Sequence, residues 1–164
     1  MIHSSHAAFA ALLLGATLVT TPVHAQGPVT CGSLVTDAEL TKVVGTPMRA
    51  IGNDVRGPGH TECKWMLSGQ GAFKTVAVIL EDQAAIKALG DTAAKLFETY
   101  VSSAEQTGKS QRVPLAGVGQ RAAIIDVSEQ TQVIVQRTDG VARIITNGLS
   151  RAQVTALAQA LMTP

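Results

Sequence analysis

Asp139-Gly140 stands between two runs of alternating apolar residues, and no other pair in the chain constrains the fold as much. Asp-Gly supplies the positive φ angles of the two-residue turns whose twist matches that of paired antiparallel strands. Residues 131–138 and 141–146 are therefore expected to form a hairpin. Strands are also read at 61–67, 73–81, 112–115 and 122–127, with a weaker candidate at 49–55. Within 73–81, Val76, Val78 and Leu80 share one face, and Thr75, Ala77 and Ile79 the other. Both faces are apolar enough for a central strand. Asn53-Asp54, Gly57-Pro58-Gly59, residues 68–71 and Gly117-Val118-Gly119 carry turn chemistry.

Helices announce themselves by their caps. Thr36-Asp37-Ala38-Glu39 is a capping box with Val35 and Leu40 as its hydrophobic staple, and Gly45 followed by Pro47 closes that helix. Leu40, Val43 and Val44 should face inward. Ser150-Arg151-Ala152-Gln153 is a second capping box, opening a helix that shows Val154, Leu157, Ala158 and Leu161 to the core. Between them, 82–104 reads as a long helix with Ile86, Leu89, Ala93, Leu96, Phe97, Tyr100, Val101 and Ala104 on one stripe. Gly90 falls on that stripe, where it either breaks the helix, with Asp91 capping a second one, or allows close packing on a sheet. The order condenses to α-β-β-β-α-β-β-β-α, an α+β fold: a mainly antiparallel sheet with helices packed on it. The two halves hint at a duplication.

The first 25 residues stand apart. Residues 7–19 are an apolar run of signal-peptide length, too short for a comfortable membrane span, and Val23-His24-Ala25 fits the small-x-small cleavage rule. The start lacks Lys and Arg and carries only His3 and His6 beside the terminal amine. Cleavage after Ala25 leaves one exported domain, 26–164, periplasmic or secreted, with no stable membrane insertion. Pro28-Val29-Thr30 before Cys31 is not a lipobox.

Composition removes several functions. Lys and Arg number 13 against 12 Asp and Glu, and the net charge of +1 gives no broad attraction to nucleic acid or anionic membrane. Aromatics at 3% leave little for base stacking. The two cysteines, Cys31 and Cys63, favour a disulfide in an oxidising compartment. Closing a loop of about 33 residues is worth about 3–4 kcal/mol in the chain-entropy model. The competing reading is a catalytic thiol served by His60, yet residues three apart on a strand point to opposite faces.

His60 is the sole histidine after Ala25, too little for a metal site or a Ser-His-Asp triad, and no Gly-x-Ser-x-Gly elbow exists. The glycines of 117–122 lie between strands, away from any helix start, so they cannot cradle a phosphate as a dinucleotide fingerprint does. Glu81 with Asp82, and Asp126 with Glu129, could be paired carboxylates, but solvated strand ends explain them more simply. Neither catalytic residues, a metal nor a cofactor is expected. Trp65 and Tyr100 are the large amphipathic side chains outside the signal, and such rings suit a site that is half apolar and half wet. The candidate binding surface is therefore Trp65 and His60, beside the Gly57-Pro58-Gly59 loop, with Arg56 and Lys64 for charge and Tyr100 as a similar ring on the long helix. The competing account places Trp65 in the core against the disulfide.

Cys31-Gly32-Ser33-Leu34-Val35-Thr36-Asp37-Ala38-Glu39, Gly45, Cys63-Lys64-Trp65 and the segment from Leu115 to Ala122 together resemble a family of small exported bacterial proteins of unknown function, many of them actinobacterial lipoproteins. The layout is also similar to the extracellular sensor domains of bacterial serine/threonine kinases. The resemblance spans most of 26–164 and rests on a cap, a cysteine pair and a turn. It implies a non-enzymatic α+β envelope module with a Cys31–Cys63 bridge, and it carries no catalytic residues across. This chain departs from the lipoprotein members in lacking a lipobox.

The expected function is a soluble extracytoplasmic binding or sensor-like module whose target is a small molecule or an envelope protein. The alternatives are a small exported enzyme with an unrecognised site and a structural or inhibitory partner of another envelope protein.

Overall fold

Two capped turns open the described chain. In the computed structural model, which describes residues 30–55, 57–67 and 73–162, Thr30 caps a single helical turn, α1 (Cys31–Leu34), and Thr36 caps α2 (Asp37–Val44). Thr36 Oγ1 accepts the Glu39 backbone N–H while Glu39 Oε2 accepts the N–H of Thr36, the reciprocal bonds of a capping box. Gly45 ends α2 in the left-handed conformation, φ 74°, which glycine adopts without a Cβ penalty. The segment expected as a signal, 1–25, the expected leader that follows it, Arg56 and the expected turn at 68–71 lie outside the described residues.

The strands follow the expected alternation. β1 (Met48–Val55), β2 (His60–Leu67) and β3 (Thr75–Asp82) form an antiparallel meander, with a bulge between Ala50 and Gly52 and with Asn53-Asp54 inside β1. After the helical crossover come β4 (Val113–Pro114), β5 (Arg121–Val127), β6 (Gln130–Gln136) and β7 (Gly140–Asn147). β3 pairs with β7, giving one seven-stranded antiparallel sheet of order β1-β2-β3-β7-β6-β5-β4, with β3 an interior strand beside the middle strand β7. The β6–β7 connection is a three-residue loop, 137–139, and Gly140 is the first residue of β7. A Cβ at Gly140 would lie 2.0 Å from the Glu81 carbonyl oxygen, so close approach to β3 explains this glycine.

Of the two readings of Gly90 the break holds, and the helical stretch from residue 82 is two helices. α3 (Gln83–Ala88), capped by Asp82, stops at Leu89, Gly90 is left-handed with φ 68°, and Thr92 caps α4 (Ala93–Gly108). Asp91, expected as the cap, instead accepts the Thr92 backbone N–H. The break turns Leu89 out of the stripe to 61% exposure. Ile86, Leu96, Phe97, Val101 and Ala104 keep the inward face. The chain ends in α5 (Arg151–Met162), whose Gln153 closes the Ser150 cap through Oε1 and donates from Nε2 to the Val44 carbonyl at the end of α2.

The sheet divides the core in two. On one face α1, α2 and α5 cover Cys63, Trp65, Val76, Val78, Ile124, Val133 and Ile144. On the other, α4 covers Ala123, Ile125, Ile134 and Val141. α4 and α5 thus lie on opposite sides of β6. A twofold relating the two halves would put both helices on one side, so the hint of duplication stops at the strand order. Cys31 and Cys63 sit with sulfurs 2.11 Å apart, bridging α1 to β2, and no free cysteine remains among the described residues. No helix among the described residues is long and apolar enough to cross a membrane.

Candidate functional site

Strand parity sorts the predicted site residues onto two sides. His60, Glu62, Lys64 and Met66 share one face of β2, while Thr61, Cys63 and Trp65 share the other. Trp65 is 1% exposed, part of the core beside the disulfide, and its Nε1 donates to Asp37 Oδ1 at 3.2 Å. It therefore leaves the candidate surface: a half-wet ring needs solvent at one end, and here Asp37 takes that polar end.

The other face is built in rungs. Met66 lies opposite Thr75, which lies opposite Asn147; Lys64 lies opposite Ala77 and Ala77 opposite Ile145; Glu62 lies opposite Ile79 and Ile79 opposite Arg143; His60 lies opposite Glu81. α4 rests on β5, β6 and β7, and α3 on β3, so neither helix lies over β2. Met66, Ala77 and Ile145 consequently remain half-buried, whereas Val76 and Val78 on the opposite face are fully buried.

Where this face meets α4, four side chains converge. The Tyr100 hydroxyl donates to Glu81 Oε1 at 2.7 Å, and His60 Nδ1 lies 3.6 Å from the same oxygen. The Arg143 guanidinium carbon stands 4.2 Å above the centre of the Tyr100 ring, a cation–π contact. Burial pushes the Tyr100 phenol well above its ordinary range, helped by its bond to Glu81 and that carboxylate's charge, and opposed by Arg143. Glu81 Oε2 and Arg143 Nε are both sealed from solvent without a hydrogen-bond partner among the described residues. Further out, Lys64 Nζ meets Glu62 Oε1 at 2.9 Å.

The structure thus joins His60 and Tyr100, brings Lys64 onto their face and separates Trp65 from all three. It adds Glu81, which the sequence offered only as one of a pair of carboxylates and left at a solvated strand end, and Arg143, which the sequence did not single out. Glu81 is 7% exposed. Its parity with Thr75, Ala77 and Ile79 was the available signal. Arg143 gave only the signal of a cation in an otherwise apolar strand. Asp82 and Asp126 are spoken for locally: Asp82 caps α3, and Asp126 accepts from Thr131 and Arg151.

Chemically the cluster can hold and orient charge. Glu81 is an acceptor engaged by Tyr100 on one oxygen, and the Tyr100 phenol resists deprotonation. No group of three His, Cys, Asp or Glu side chains among the described residues is placed to hold a metal ion. The chain matches no protein-family model, and comparisons with curated proteins and with solved structures return no match.

Proposed function

We propose that this protein is a non-enzymatic extracytoplasmic binding module whose ligand lies on the β2–β3–β7 face beside α4. One observation carries the reading: this face keeps Lys64, Met66, Ala77 and Ile145 half-open, while the helices bury the opposite face of the same strands. A mixed apolar and charged surface of this kind is suited to orienting a ligand. His60 and Tyr100 lie at its α4 end, so that edge is where a ligand would be oriented.

Export follows from the 1–25 signal segment, and the Cys31–Cys63 bridge supports it, because such bonds persist in oxidising compartments. A sulfur engaged with Cys63 cannot also carry a lipid, which favours a protein freed by cleavage over a lipoprotein. Mass spectrometry of protein exported from a bacterial host should find a chain beginning at Gln26. Intact Met1 in the periplasmic fraction, or a lipid on Cys31, would overturn export by this route.

The binding reading is tested by a metabolite screen on the exported chain, read by backbone amide shifts. Hits should perturb residues 62–66, 75–79 and 143–147 and vanish in Ala77→Arg, which fills the face without touching the core. Hits that map elsewhere, or that survive Ala77→Arg in a folded protein, defeat the reading.

A further inference from the structure

We infer that Arg143 is the anchor for a carboxylate, and that the ligand of this face is a monoanionic carboxylic acid with an apolar body. The inference rests on the proposed face and deepens it. Every other described arginine after β1 is matched by an acidic side chain: Arg112 by Glu98 and Glu105, Arg121 by Glu98, Arg137 by Asp139 and Arg151 by Asp126. Arg143 has no acidic or hydrogen-bonding partner among the described residues, and its contact is the Tyr100 ring. Tyr100 itself explains the isolation. Its hydroxyl engages Glu81 Oε1 while its ring carries the guanidinium, so the phenol rather than Arg143 takes that carboxylate oxygen.

The result is a cation held over an aromatic ring, with Nε sealed and no acceptor for its terminal nitrogens among the described residues. A guanidinium presents paired parallel donors that match the two oxygens of a carboxylate. Its neighbours select the rest of the ligand. Along the neighbouring open rung lie the half-buried Ala77 and Ile145, so a body attached to that carboxylate meets hydrocarbon. Glu81 lies diagonally across β3 from the cation, and its charge weighs more against a phosphate dianion than against a carboxylate.

Octanoate is the probe, with octanol and inorganic phosphate as comparators, titrated into the exported chain and followed by amide shifts. Octanoate should saturate shifts at residues 77–79 and 143–145. Arg143→Met, which keeps the stem, should weaken it at least tenfold. Arg143→Lys, which keeps the charge without the fork, should fall between and serves as the readout if Arg143→Met does not fold. Phosphate and octanol should give no saturable shift. Octanoate binding unchanged in a folded Arg143→Met, no saturation by octanoate in the wild type, or equal binding of phosphate overturns the carboxylate anchor. Octanol binding that matches octanoate also overturns the anchor while leaving the face itself as a binding surface.

Discussion

Tyr100 donates its hydroxyl to Glu81 Oε1 across 2.7 Å, from the middle of α4 to the end of β3. Glu81 is the buried ionisable residue among those described, so this bond is the main compensation for a carboxylate taken out of water. Removing it in Tyr100→Phe should cost about 1–3 kcal/mol, measured by urea unfolding. Tyr100 is the sole tyrosine of the chain, so phenolate absorbance reports on it alone. Its ionisation should begin well above the ordinary value of about 10. Because the folded value is raised, the stabilisation is complete below about pH 10 and is lost as pH rises through the higher folded value. Glu81→Gln removes the charge that helps raise it and should move the titration down. A phenol that titrates normally in the folded protein would disprove the coupling.

Asp37 Oδ1 accepts from both Trp65 Nε1 and the Ala50 backbone N–H, each at 3.2 Å, tying α2 to β1 and β2. Asp37→Ala should cost about 1–3 kcal/mol by leaving the indole donor unpaired in a buried site. Asp37→Asn keeps an acceptor oxygen and should cost less. Trp65 is the sole tryptophan, so its fluorescence should shift in the first variant and barely in the second.

Acid should unlock the α4 edge. Arg112 donates to Glu98 at 2.8 Å and to Glu105 at 2.9 Å, and these hydrogen bonds hold both carboxyls below their usual range. A lowered folded value means the stabilisation is present above the unfolded value of about 4.3 and is lost as pH falls through the lowered one. The melting temperature of Arg112→Met should therefore lie below wild type at neutral pH, and the gap should close in acid. A gap that persists at the lowest pH would assign the effect to packing of the arginine stem.

Reduction should be slow and costly. Cys63 is fully buried and Cys31 nearly so, which shields the bridge from small reductants. Cys31→Ala/Cys63→Ala should lose about 3–4 kcal/mol in the chain-entropy model. Non-reducing peptide mapping should recover the two cysteine peptides joined. Free labelling of both thiols in the native protein would contradict the bridge.

Much of the architecture was legible because it is encoded locally. The Thr36 and Ser150 caps, the left-handed Gly45 and the alternation of β2 and β3 each act within a few residues. Where a local rule met a tertiary demand, the tertiary demand prevailed. Gly140 belongs to β7 rather than to the turn because β3 passes within 2.0 Å of where its Cβ would be. Leu89 points to solvent because Gly90 ends its helix before α4 sets a new phase.

By itself the sequence determined which side chains share a face, since parity along a strand needs no partner: His60 with Lys64, and Cys63 with Trp65. Parity cannot say which of the two faces a helix will cover. That was decided only when α4 settled over β5, β6 and β7 while α1, α2 and α5 took the other side. This placement buried Trp65, left the Lys64 face uncovered by the described helices and brought Tyr100 onto Glu81 and Arg143. The physical reason is that burial is a property of the assembled layers. A glutamate in an alternating strand reads as solvated until a helix from elsewhere in the chain closes over it.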